Sequence, residues 1–305
     1  MQNSKRTWLL LGTGLALGLG MPLGKLAGEA GIGALSFALL PAVGAALMLS
    51  ALAWRQHGLP AAPGRLFRFG AVAGLLGNAV PNTLTAWLSL NAGAGFTGLA
   101  YTLPPAFTLG LLLLLRWERW QAVRACAVVL GLAGALWLVI ARMRTGQLTG
   151  GAALLLLVVP LAIGAGNVYR FRNLPRHSPP MWIGAAAAVG ASAWLLPAWM
   201  VAPAALSELS QEGFTYLACQ MLAATVGLTM FFKLQLLSEP VTMSFVGYVI
   251  ALAAVVTGAL LLGEHLPLQL LPAALLIGMG FWLVQRAPSI TKEQANESTR
   301  HSARR

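Results

Sequence analysis

Two asparagines stand four residues apart inside an apolar run, in the stretch Asn78-Ala-Val-Pro81-Asn82-Thr83. On a helix that spacing puts both amides on one face. Pro81 has no N–H to give, so the Gly77 carbonyl, four residues back, loses its helical donor. Two amides and a freed carbonyl form a neutral hydrogen-bonding site suited to an amino or carboxyl group. The same residues also suit interhelical stapling, a common use of asparagine in apolar surroundings. A second polar point is Tyr101-Thr102-Leu103-Pro104-Pro105. Its prolines release the carbonyls of Ala100 and Tyr101, giving either a broken-helix binding point or a fixed kink. Further along, Gln220, Thr225 and Thr229 share one apolar run, and Ser244 and Tyr248 the next. The candidate binding set is therefore Asn78, Asn82, Tyr101, Gln220, Thr225, Ser244 and Tyr248, with Tyr248 placed to face Tyr101. Packing is the alternative for each. Asn167 reads as a cap near the end of its run.

What is missing matters as much. The chain has no Asp, and no Glu lies deep inside an apolar run. Glu118 and Glu264 each close one. The four histidines, His57, His177, His265 and His301, fall in connections or in the tail, and neither His-Glu-x-x-His nor Gly-x-Ser-x-Gly occurs. Cys126 and Cys219 sit inside apolar runs and read as packing residues. Nothing here assembles a nucleophile with a base or a metal cluster, so no enzyme, cofactor or metal is expected. Ion-driven pumps commonly keep carboxylates inside the membrane, and none is found here.

These residues need elements to hold them. Of 305 residues, 58% are hydrophobic and 9% charged, against about 25% charged in soluble domains. Mean hydropathy is +0.74. The apolar runs are continuous and about 20 residues long, which means membrane helices and a lipid bilayer as partner. Ten spans are expected, near 8–26, 33–54, 69–90, 93–115, 123–141, 150–169, 181–201, 214–232, 241–262 and 268–284. The net charge of +12 is spread over short connections, which speaks against nucleic acid. With the N-terminus cytoplasmic, 17 of the 20 Lys and Arg residues, Arg170 among them, fall on the inner side. Only Lys25, Arg142 and Arg144 face out. The positive-inside rule then puts both termini in the cytoplasm. No span carries a Lys or Arg at mid-depth on this reading. Most tryptophans fall near span ends as an aromatic belt; Trp194 is the exception. Residues 286–305 read as a disordered cytoplasmic tail.

Glu118 and Glu264 lie 146 residues apart, and so do the pairs Gly18/Gly164 and Gly20/Gly166. The expected organisation is one five-helix unit written twice, 1–145 and 146–285, with the tail 286–305 after them. An odd number of spans per unit inverts the second copy, as in many secondary transporters. The runs ending Leu-Arg-Trp-Glu118-Arg and Leu-Gly-Glu264-His-Leu are each followed by a helix ending Trp-Leu-Val, at Trp137 and Trp282. With Gly18-Leu-Gly20 and Gly164-Ala-Gly166, they resemble the drug/metabolite transporter superfamily, in particular its ten-helix EamA-like members. The resemblance covers nearly all of 8–284. That family often carries an Arg in its second helix; here Ala34–Leu52 has none. The resemblance implies an all-α bundle around a central cavity that moves small metabolites, often amino acids, or drugs. The expected function is export or exchange of a small polar, amino-acid-like metabolite across the cytoplasmic (inner) membrane by alternating access. Multidrug or lipid-like transport is the alternative. A monomer or weak homodimer is expected.

Overall fold

The structure, a computed structural model, describes residues 2–117, 150–201, 210–237 and 240–264, with isolated residues of 122–140 and 272–283. Among them no strand occurs. The helices are α1 (Gln2–Gly18), α2 (Gly20–Glu29), α3 (Ala34–His57), α4 (Pro63–Gly74), α5 (Val80–Ala92), α6 (Ala94–Leu99), α7 (Pro104–Leu114), α8 (Gly150–Asn173), α9 (Pro180–Val201), α10 (Gln211–Leu237) and α11 (Pro240–Leu262). Only scattered residues of the expected fifth and tenth spans are described, and Glu118 and the tail lie outside the described residues.

Six helical stretches are long and apolar enough to cross a membrane: Lys5–Glu29, Ala34–His57, Ala94–Leu114, Leu154–Asn173, Pro180–Val201 and Gln211–Leu237. Val246–Leu262 is apolar but shorter. Large apolar side chains point outward from these helices, including Leu47, Leu154 and Leu260. A surface of this kind needs lipid against it. This is a multi-pass membrane chain.

Interiors between the helices are closed by small residues. On α9, a Cβ at Gly190 would run into the Gly70 carbonyl of α4, and one at Gly70 into the Ala186 carbonyl of α9. Backbones meet there because no side chain intervenes. The glycines singled out from the sequence do the same. Gly18 packs on Ala253 and Gly164 on Phe107. Both the glycines and their partners are 146 positions apart.

Two helices are irregular where the sequence places prolines. Between α4 and α5, residues Leu75–Ala79 form a π-helical turn, with the Val80 N–H reaching back to the Leu75 carbonyl. The missing N–H of Pro81 is thus absorbed by a widened turn, a feature often found at functional sites. Trp194, the mid-helix exception, is half-exposed and donates its indole N–H to the Ala71 carbonyl at 3.0 Å, just before this turn. Between α6 and α7, Ala100–Thr102 form a 3₁₀ turn, and Pro104 opens α7 at its first position, where a proline costs no hydrogen bond. The expected freeing of two carbonyls is corrected here for one of them. The Ala100 carbonyl accepts the Leu103 N–H at 3.3 Å, while the Tyr101 carbonyl packs against Gly247 of α11 with no described donor.

One end of the bundle is tied by Glu264. Its carboxylate accepts from Lys25 Nζ at 2.8 Å and from the backbone N–H groups of Ala94 and Gly95 at 2.8 and 2.9 Å. Those N–H groups open α6, so an acid from another element caps that helix. Cys126 and Cys219 are both exposed rather than packed.

Candidate functional site

The π turn widens the α4–α5 span, and beside it lies a cavity of about 80 Å³ bounded by α2, α3, α5, α9 and α10. A water needs about 10–15 Å³ on such a measure, so several waters or a small solute fit. Its polar wall is Asn78, Asn82 and Thr85 from the α4–α5 span, Tyr101 from the 3₁₀ turn and Gln220 from α10. Positions 78, 82 and 85 share one helix face, as spacings of four and three require. The rest is apolar or small, including Phe37, Pro41 and Ala188.

Four of the seven expected binding residues therefore meet at one place: Asn78, Asn82, Tyr101 and Gln220. The amides differ from the hydroxyls in one respect. Neither asparagine side-chain amide makes a described hydrogen bond, Asn82 being reached only at its backbone carbonyl by Thr85 Oγ1 at 3.3 Å, and Gln220 Oε1 is buried with no partner. A buried acceptor without a donor is costly. Gly20 keeps room for this amide, since a methyl there would come within 3.2 Å of Gln220 Nε2.

Two of the other three, Thr225 and Tyr248, are not part of the cavity wall. Thr225 is buried, but its hydroxyl donates to the Met221 carbonyl of its own helix at 2.8 Å and lies 3.7 Å from Met48 Sδ. It does not border the cavity. Tyr248, like Tyr101, packs against the buried cluster of Leu88, Phe96 and Val159, but unlike Tyr101 it does not line the cavity. Ser244 lies on α11, and its side chain is outside the described residues.

Thr85 was not expected. Its hydroxyl donates to the Pro81 carbonyl at 2.8 Å and also meets the Tyr101 side chain. Its place three residues after Asn82 was the available signal. Arg170 was expected in an inner connection, and this is corrected. Helix α8 runs on to Asn173, and Arg170 is only 4% exposed. Side chains on a helix lean toward its N-terminus, which carries this guanidinium back into the bundle. There Nη2 donates to Asn167 Oδ1 at 2.6 Å, and Nη1 packs on Gly77, itself part of the cavity wall. Asn167 does not simply cap its helix, because its Nδ2 donates to Thr108 Oγ1 at 3.2 Å.

No family model and no curated protein matches the chain. A solved crystal structure of another protein superposes on it with a TM-score of 0.62 at 15% identity, over 92% of this chain and 96% of that one. At that identity the likeness speaks for the fold alone. Nearly the whole chain thus follows an architecture seen in a solved protein.

Proposed function

We propose that this chain is a secondary transporter, EamA-like within the drug/metabolite transporter superfamily. It moves a small polar, amino-acid-like metabolite across the cytoplasmic membrane by alternating access, in export or exchange. The observation that carries this reading is the small cavity inside the apolar bundle, walled by amides that no described residue satisfies. Polar groups buried among membrane helices without partners are expensive and are kept for a purpose. A solute supplies the missing partners. The volume favours a small metabolite over drug-sized cargo, whose sites span about 300–1,000 Å³. The matched contacts of Gly18 with Ala253 and Gly164 with Phe107 support an inverted pair of five-helix units, 1–145 and 146–285. Both termini are cytoplasmic in this reading, and reporters fused after Arg305 and within 58–62 should read inside.

The test is flux. Proteoliposomes holding the full chain and a mixture of small metabolites should lose a defined subset that empty liposomes retain. In the Asn82→Ala variant, apparent affinity for that subset should drop about 10- to 150-fold, the worth of one hydrogen bond to a charged group. If Asn82 only joins helices, the variant instead loses about 0.6 kcal/mol of stability and keeps its affinity. Failure of every metabolite to leave would reject transport itself.

A further inference from the structure

Arg170 is the most deeply buried cation among the described residues, and its charge has no partner there. The described carboxylates are Glu29, Glu212 and Glu264. The first two are exposed at helix ends, and the third is held by Lys25 and the start of α6. Of the five N–H donors of the guanidinium, one bond is described, Nη2 to Asn167. Nε is buried and unpaired. Phe231 covers the group from α10, with the guanidinium carbon 5.3 Å from its ring centre.

The surroundings are shaped for this group. A Cβ at Gly77 would collide with Nη1, and one at Gly166 would lie 3.3 Å from it. Two helices therefore leave out a side chain at the same spot. Asn167 is oriented by its bond to Thr108, so it presents its oxygen to the guanidinium. Gly77 borders the cavity and Asn78 follows it. A buried charge is costly unless an opposite charge comes to it, and Gly77, against which Nη1 packs, borders a cavity that admits small solutes, although Arg170 is not itself part of that wall. A guanidinium binds a planar oxyanion through its N–H donors, and Nη1, the nitrogen beside Gly77, makes no described hydrogen bond.

We propose that Arg170 is the anion-binding group of the transport site, and that the solute carries a carboxylate which docks on it at the Gly77 edge of the cavity. This rests on the transport reading above and narrows it: zwitterions and carboxylic acids are cargo, whereas amines without a carboxylate are not. Asn78, Asn82 and Gln220 then bind the rest of the solute.

Two measurements test it. The first needs no known cargo. Arg170→Gln and Arg170→Met in the full chain remove an unpaired buried charge, so in solute-free buffer both should melt at or above the wild-type temperature. A guanidinium that serves only to join α8, α10 and the π turn predicts the reverse, and lower melting of both variants overturns the proposal. The second uses proteoliposomes loaded with equal amounts of L-alanine, propionate, L-alaninamide and the wider metabolite mixture. Every solute that leaves through the wild type should carry a carboxylate. Its efflux through Arg170→Gln should be about 10- to 150-fold slower at low concentration, with partial return in Arg170→Lys. Selective loss of amines or uncharged solutes overturns the assignment while leaving transport intact. Loss of nothing at all rejects the transport reading and the assignment with it, even where the melting data agree.

Discussion

The Glu264 carboxylate and the Lys25 ammonium, 239 positions apart in the chain, meet at 2.8 Å with both side chains mostly buried. Burial alone pushes a carboxyl up, but the Lys25 hydrogen bond and the N–H groups of Gly95 and Ala94 outweigh it and hold Glu264 below the usual carboxylate range. Its folded-state value is thus lower than its unfolded value of about 4.3. The stabilisation is complete above that value and disappears as the pH falls through the folded one. Melting of the wild type in detergent should therefore drop on acidification below about pH 4. Glu264→Gln should start lower at neutral pH and lose less over the same acid range. Parallel curves for the two proteins would falsify this account of the contact.

Gly190 against the Gly70 carbonyl leaves the least room of the described glycine positions. Neither backbone can yield without separating α4 from α9, and the cavity wall moves with them. Gly190→Ala should cost about 1–3 kcal/mol, the usual penalty for overpacking. Gly110 on α7 has open space where its Cβ would stand, so Gly110→Ala should be neutral or stabilising by about 0.5–1 kcal/mol through helix propensity. Equal melting of the two variants would show that the crossing can adjust.

The polar site was legible where a side chain's chemistry clashes with an apolar run. Asn78, Asn82, Tyr101 and Gln220 stand out for that reason, and the structure brings them to one cavity. Thr225 stood out equally, yet a threonine hydroxyl can bond the carbonyl four residues back on its own helix, and that is what it does. Pro41 and Ala188 line the same cavity without any polar signal. Arg170 was hidden by a boundary drawn one residue short, which turned a buried cation into a connection residue. Gly166 and Asn167, four and three residues before it, marked the same helix face. The π turn was visible only as Pro81, because sequence shows that a donor is missing but not how the helix absorbs it.

The described carboxylates leave little for ion coupling. Glu29 and Glu212 are exposed, and Glu264 is occupied by its ion pair, while the chain has no Asp at all. A solute gradient alone should therefore drive flux in liposomes with equal pH and equal salt on both sides. Flux that appears only under an imposed proton gradient would refute this. The coupling group would then be sought at Glu118 and the histidines.

Gln220 gives the sharpest separation of function from stability. Its Oε1 is buried without a donor, and its Nε2 lies over Gly20. An amide kept for packing would have a partner in the resting protein; one kept for a solute has its partner only when the solute arrives. Replacing it with leucine, of similar volume, removes the unsatisfied acceptor. Gln220→Leu should therefore match or exceed the wild type in melting temperature, by up to about 1–3 kcal/mol of relieved burial cost. Its apparent affinity for the transported solute should fall about fivefold or more, the worth of a neutral hydrogen bond near 1 kcal/mol. Lower stability with unchanged affinity would assign Gln220 to the packing of α10 on α2 and remove it from the site.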